Sequence, residues 1–157
     1  MKNFLTFLGG VFLLIIVLII GLVAFMGVQL GPADQEANAY ARQSIEAIAK
    51  TWNGDALYER ATTGLKDNLK EGDIEALMNQ GARTVGDLEE LGDLTCVTRV
   101  TTTTSDGKAI MSDCTATAEH QRGTVDYRVN VEKRDGAWAL NGFHFTVTKI
   151  KEDAIEI

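Results

Sequence analysis

No charged side chain occurs between Phe4 and Leu30 in "MKNFLTFLGGVFLLIIVLIIGLVAFMGVQLGPADQEANAY", and this run constrains the chain more than any other feature. It exceeds the ~20 apolar residues that cross a bilayer as a helix. It also exceeds the ~7 to 15 residue apolar core of a cleavable signal peptide. The small-x-small cleavage candidate Ala37-Asn38-Ala39 lies far past the run. Residues 4–30 therefore read as an uncleaved transmembrane signal anchor, with a cleaved signal as the alternative. Lys2 and the amino terminus precede the span, while Asp34 and Glu36 follow it. That charge order places the N-terminus in the cytoplasm and the rest of the chain outside. Gly27 and Gly31 match GxxxG, which admits a homodimer through the span, although the motif sits at the membrane edge and contains Gln29.

Residues 31–157 are of single-domain size, and Gly31-Pro32 marks the boundary with little room for a linker. All 22 acidic residues and every basic residue except Lys2 fall in this part, so its charge is more negative than the whole-chain −7. Such a surface repels phosphate backbones and anionic headgroups, and no basic stripe offsets it. Nucleic acid is thereby disfavoured as a partner.

The two cysteines fix the next piece. Cys96 and Cys114 flank Ser105-Asp106-Gly107-Lys108 within β-branched runs, the signature of a hairpin. Pairing Leu94 with Ala116, Cys96 with Cys114, Thr98 with Ser112 and Val100 with Ile110 gathers the apolar side chains on one face. A slip of one residue would scatter them. Directly opposed residues at a non-hydrogen-bonded site lie about 4.5 Å apart at Cα, at the short end of what a disulfide spans. An extracytoplasmic domain sits in an oxidising space, which favours a Cys96–Cys114 disulfide over two free buried thiols. With no CxxC, and with neither His120 nor His144 at a ligand-like interval, no metal site is expected.

Between Pro32 and the hairpin, Ala41, Ile45, Ile48 and Trp52 mark one face of a helix with Asp34 as its cap. Asn53-Gly54 breaks it, and a second helix runs from Asp55 to about Thr63. Gly64, Gly72, Gly81, Gly86 and Gly92 then punctuate short pieces, of which 73–80 is the clearest helical turn and 84–91 reads as either a turn or a loop. From Asp93 onward the pattern is antiparallel strand. Val125, Tyr127, Val129 and Val131 alternate with polar residues, giving one buried and one solvated face. An Arg122-Gly123 turn would pair Ala118 with Tyr127, Ala116 with Val129 and Cys114 with Val131. After the Asp135-Gly136 turn, Val131 can face Leu140, yet Phe143, Phe145 and Val147 have the wrong parity. A bulge at Asn141-Gly142 repairs this; a longer turn would instead turn Trp138 and Leu140 outward. Helices followed by an antiparallel meander of four or more strands, curved and covered on one face, make an α+β domain.

The long helix ending in Trp52, the "LGDL" of 91–94 entering the first long strand and the final "GAWALNGFHF" of 136–145 resemble the cystatin-like, or nuclear-transport-factor-2-like, superfamily. The resemblance covers about 34–149, leaving 150–157 as a tail. It implies a sheet that either encloses a small-molecule pocket or serves as an interaction surface. Membrane-anchored members occur in bacterial envelope assemblies, so it also implies single-pass residence in the inner (cytoplasmic) membrane with the domain on the periplasmic or extracellular side. Fold does not dictate which role applies.

Enzymes of that superfamily place an Asp or His base inside the cone. Here His144 alternates with Phe143 and Phe145 and points outward, His120 is expected beside a turn, and Asp113 and Asp126 have the parity of the solvated face. No acid/base group or catalytic motif is left, so neither catalysis nor a cofactor is expected. Two functions remain: an interaction or assembly module with an envelope protein partner, or a ligand-binding domain with a pocket between the first helix and the sheet lined by Trp52, Tyr58, Tyr127, Phe143 and Phe145. A cavity of about 300 Å³ or more among these aromatics favours the ligand; a filled core favours the partner.

Overall fold

The computed structural model describes residues 31–103 and 107–151. The span expected over 4–30, the tip of the first hairpin and nearly all of the tail lie outside them. Among the described residues no helix is long and apolar enough to cross a membrane. Those from Asp34 onward form one compact unit, with helices packed on a five-stranded antiparallel sheet.

Helix α1 covers 31–49. Residues 31–33 are helical, so Asp34 lies inside the helix and is not its cap. Ala37, Ala41, Ile45, Ile48 and Ala49 form its buried stripe, joined by Ser44, whose hydroxyl donates to the Tyr40 carbonyl. Trp52 lies just past the helix rather than on it. Its φ of 51° reverses the chain, and Asn53 N–H closes the turn on the Ile48 carbonyl at 2.8 Å. Such a helix terminus normally takes glycine at the left-handed position; burying the indole is what the tryptophan gains there.

Asn53 then caps α2 (Gly54–Arg60) by accepting from the Asp55 and Ala56 amides. The helix stops at Arg60, short of Thr63, because Ala61 bridges Leu140 and Thr62 N–H donates to the Leu140 carbonyl at 2.7 Å. Thr62 in turn caps α3 (Thr63–Asn68), which no periodicity announced. The turn expected over 73–80 belongs to a longer helix, α4 (Glu71–Thr84), that buries Ile74 and Met78. Residues 84–91 are neither wholly turn nor loop, since Leu88–Leu91 is strand β1.

The remaining strands are β2 (Thr95–Thr103), β3 (Gly107–His120), β4 (Gly123–Arg134) and β5 (Ala137–Ile150). The sheet runs β1-β3-β4-β5, and β2 also pairs with β3. At 14 residues β3 is long enough to hold β2 along Gly107–Thr115 and β1 along Ala118–His120 on the same edge. Gly92 sits at the joint: its N–H bonds the Thr117 carbonyl at 3.0 Å, and a Cβ there would stand 2.7 Å from that oxygen.

The β2–β3 register is the expected one, with Cys96 opposite Cys114, Thr98 opposite Ser112 and Val100 opposite Ile110. Cys96 and Cys114 form a disulfide with a Cα separation of 4.1 Å. Not every apolar side chain of the hairpin is covered, because Val97 lies on the other face at 66% exposure and Val100, near the far end, at 47%. With a sequence separation of 18, the chain-entropy model gives the bridge about 3 kcal/mol. A Cys96→Ala/Cys114→Ala variant should lose that much in urea unfolding, and native protein should show no free thiol by mass analysis.

The β3–β4 register differs from expectation by two residues. Ala118 faces Val125, Ala116 faces Tyr127 and Cys114 faces Val129. The turn is Gln121-Arg122, held to the α4–β1 connection by Gln121 N–H to Asp87 O and Arg122 N–H to Val85 O. Gly123 is a strand residue, and glycine is required there because a Cβ would lie 2.3 Å from the Lys149 carbonyl. A shift of two keeps each side chain on its face, so the core is the one expected although the partners change. In β4–β5, Val131 faces Leu140, Asn130 faces Gly142 and Val129 faces Phe143, which makes Asn141 the extra residue of the bulge. A second irregularity between Thr124 and Val125 carried no sequence signal.

Candidate functional site

Four of the five aromatics expected to line a pocket come together, and they fill the space instead. Tyr127 is 1% exposed, Trp52 5% and Phe143 7%. Ring centroids lie 4.9 Å apart for Trp52–Phe145, 5.7 Å for Tyr127–Phe143 and 6.4 Å for Tyr127–Phe145. These are contact distances for tilted and edge-on rings.

The fifth member of the cluster is His120, which the sequence reading placed beside a turn. It is fully buried, 5.5 Å from the Trp52 ring and 6.0 Å from that of Tyr127. The signal was parity: His120 continues Cys114, Ala116 and Ala118 on the core face of β3. Its Nδ1 is 2.9 Å from the Gly86 carbonyl oxygen and its Nε2 is 2.9 Å from the Tyr127 hydroxyl. A carbonyl can only accept, so Nδ1 carries the proton and Nε2 accepts from Tyr127, which is the neutral tautomer. The same carbonyl also accepts from Trp52 Nε1 at 2.8 Å. Gly86 has a φ of 72°, and a Cβ there would meet Gln121 Oε1 at 2.6 Å; glycine therefore aims this carbonyl inward. Burial pushes the His120 pKa down and the Tyr127 pKa up, keeping both neutral. The pair thus satisfies buried polar groups, with every ring nitrogen already engaged.

Tyr58 is not part of this cluster. It is 49% exposed on α2, with the Lys66 ammonium 5.1 Å from its ring centroid. It stands on the rim of a cleft of about 520 Å³ whose floor is Trp52, Leu69, Ile74 and Met78. Asp55, Glu75 and Asn79 complete the rim. Gly54 lets α2 and α4 approach, since a Cβ there would lie 2.9 Å from Ile74 Cγ2.

The opposite face of the sheet is polar. Thr115, Thr117, Asp126, Arg128, His144 and Thr146 line a broad trough across β3, β4 and β5. His144 is exposed there, as its alternation with Phe143 and Phe145 requires. Asp126 accepts from the Thr117 hydroxyl at 2.7 Å. Further along, the side-chain amide of Asn130 donates to Asp113, which pairs with Arg99, and Asn141 donates to Asn130 at 3.1 Å. Thr62 donates to Asn141 at 3.3 Å. The bulge residue thereby joins a polar ladder that runs from β2 to the α2–α3 connection. Among the described residues no cluster of His, Cys, Asp or Glu could hold a metal ion. Comparison with family models, with curated proteins and with solved structures gives no match.

Proposed function

We propose that the chain is a non-enzymatic, membrane-anchored interaction or assembly module that displays its α+β domain to a protein partner outside the cytoplasm. One observation carries this reading: between the first helix and the sheet, Trp52, Tyr127, Phe143 and the half-buried Phe145 pack on one another and around His120, while the cleft that Trp52 and Tyr58 line opens at the surface between α2 and α4. What the domain offers is then its surface. The uncharged run over 4–30 ends in the sequence directly before α1, so an anchor there would leave no linker between the membrane and that surface. The resemblance to the cystatin-like superfamily, whose anchored members work in bacterial envelope assemblies, points the same way.

Two measurements on the full chain test the proposal. A reporter enzyme active only outside the cytoplasm, fused after Ile157, should be active, with the intact chain in the membrane fraction. Purification from detergent-solubilised membranes should bring down one protein in fixed proportion to the chain. A shortened soluble chain would replace the anchor with a cleaved signal. A chain recovered alone, with a small molecule of constant mass in native mass spectrometry, would replace the module with a ligand-binding domain.

A further inference from the structure

We propose that the cleft between α2 and α4 is the docking site, and that it takes a basic, apolar segment of the protein partner. The inference rests on the interaction reading above. The floor of Leu69, Ile74 and Met78 offers apolar surface to a side chain, and the cleft's 520 Å³ falls within the range of ordinary binding pockets. Its rim fixes the sign of the partner. Asp55 and Glu75 stand there without an ion pair among the described residues, and no basic residue lines the cleft. Tyr58, the most exposed aromatic of the five once expected to form a pocket, presents a ring that already holds one ammonium, that of Lys66 at 5.1 Å. Carboxylates beside an aromatic ring that binds an ammonium within the chain suit Lys or Arg next to an apolar anchor, with the partner's cation competing with Lys66 for the ring. They repel phosphate, which sets a protein segment ahead of an anionic lipid. The net charge of −7 adds long-range attraction for the same partner.

The outer trough makes a weaker case. There Asp126 already has Thr117, and the acids and bases along its length are mixed.

The test is photocrosslinking of the full chain in its own membrane. A benzophenone amino acid replaces Asn79 on the rim, and parallel chains carry it at Glu46 on α1 or Thr115 in the trough. Irradiation of the Asn79 chain should give an adduct with a peptide that contains Lys or Arg among apolar residues. Asp55→Lys/Glu75→Lys in the same chain should cut its yield about tenfold at equal folded amounts, the effect of reversing two rim charges; both side chains are exposed, and lysine in the first turn of α2 lowers the melting temperature only slightly. No adduct at 79, a lipid or small-molecule adduct, an acidic peptide, or a yield indifferent to the charge reversal would each overturn the docking site. A protein adduct from Glu46 or Thr115 without one from 79 would leave the interaction module standing and remove only the cleft. No protein adduct from any of the three would remove both.

Discussion

Gly81→Ala should destabilise the domain by about 2 kcal/mol, although alanine for glycine within a helix ordinarily stabilises by up to ~1 kcal/mol. The sign reverses because of Trp52. A Cβ at position 81 of α4 would stand 2.2 to 2.4 Å from three carbons of the indole. That ring is pinned although one side borders the α2–α4 cleft: its N–H is bonded to the Gly86 carbonyl at 2.8 Å, and it packs on His120 and Phe145. Moving it costs an overpacking penalty of about 1 to 3 kcal/mol and strains the hydrogen bond as well. Gly72 on the same helix is the control, since nothing lies within 4 Å of a Cβ there. Gly72→Ala should be neutral or slightly stabilising. Urea unfolding followed by tryptophan fluorescence compares the two, and equal effects would refute this placement of the indole.

The contrast between these glycines shows where the sequence was informative. Apolar alternation in β3, β4 and β5 was legible because one face of a sheet is buried and a slip of one residue exposes the whole set. The Asn141 bulge could be deduced for the same reason, from parity that fails between Leu140 and Phe143. The β3–β4 partners were not legible, because a slip of two preserves every face and only the turn decides between registers. Gly123 looked like a turn residue, yet it is glycine for its approach to the Lys149 carbonyl. Helix α3 and strand β1 are held by tertiary partners: Thr62 by the Leu140 carbonyl, and β1 by the far end of β3. Nothing local in 61–91 specifies those contacts. The five aromatics expected to share one pocket divide instead: Tyr127, Phe143 and Phe145 pack with Trp52 around His120, whose core parity on β3 was overlooked, while Trp52 also lines the surface cleft with Tyr58. Tyr58 was grouped with that lining by composition, while its position on α2 places it on the cleft rim.

His120→Leu should cost about 2 kcal/mol or more, and its cost should grow as the pH rises. In the native fold the imidazole satisfies the Tyr127 hydroxyl and shares the Gly86 carbonyl with Trp52. Leucine fills most of the volume but strands the hydroxyl, and an unsatisfied buried group costs about 1 to 3 kcal/mol. Tyr127→Phe strands Nε2 instead. The double variant replaces both partners by apolar groups, so its loss should be smaller than the sum of the singles. The pH dependence follows from burial, which holds the folded pKa below the ordinary 6.5 of an exposed imidazole. Between that depressed value and 6.5 the unfolded chain binds a proton that the folded one refuses. The His120 contribution is therefore fully present above pH 6.5 and falls away as the pH drops through the window. Unfolding free energies at pH 5 and pH 7.5 should show the native chain losing more stability on acidification than His120→Leu does, while replacement of the exposed His144 by Gln should change stability at pH 7.5 by no more than about 0.5 kcal/mol. If His120→Leu and the native chain lose the same amount, the imidazole is not buried neutral, and the packed interior that separates an interaction surface from a ligand pocket loses its central side chain.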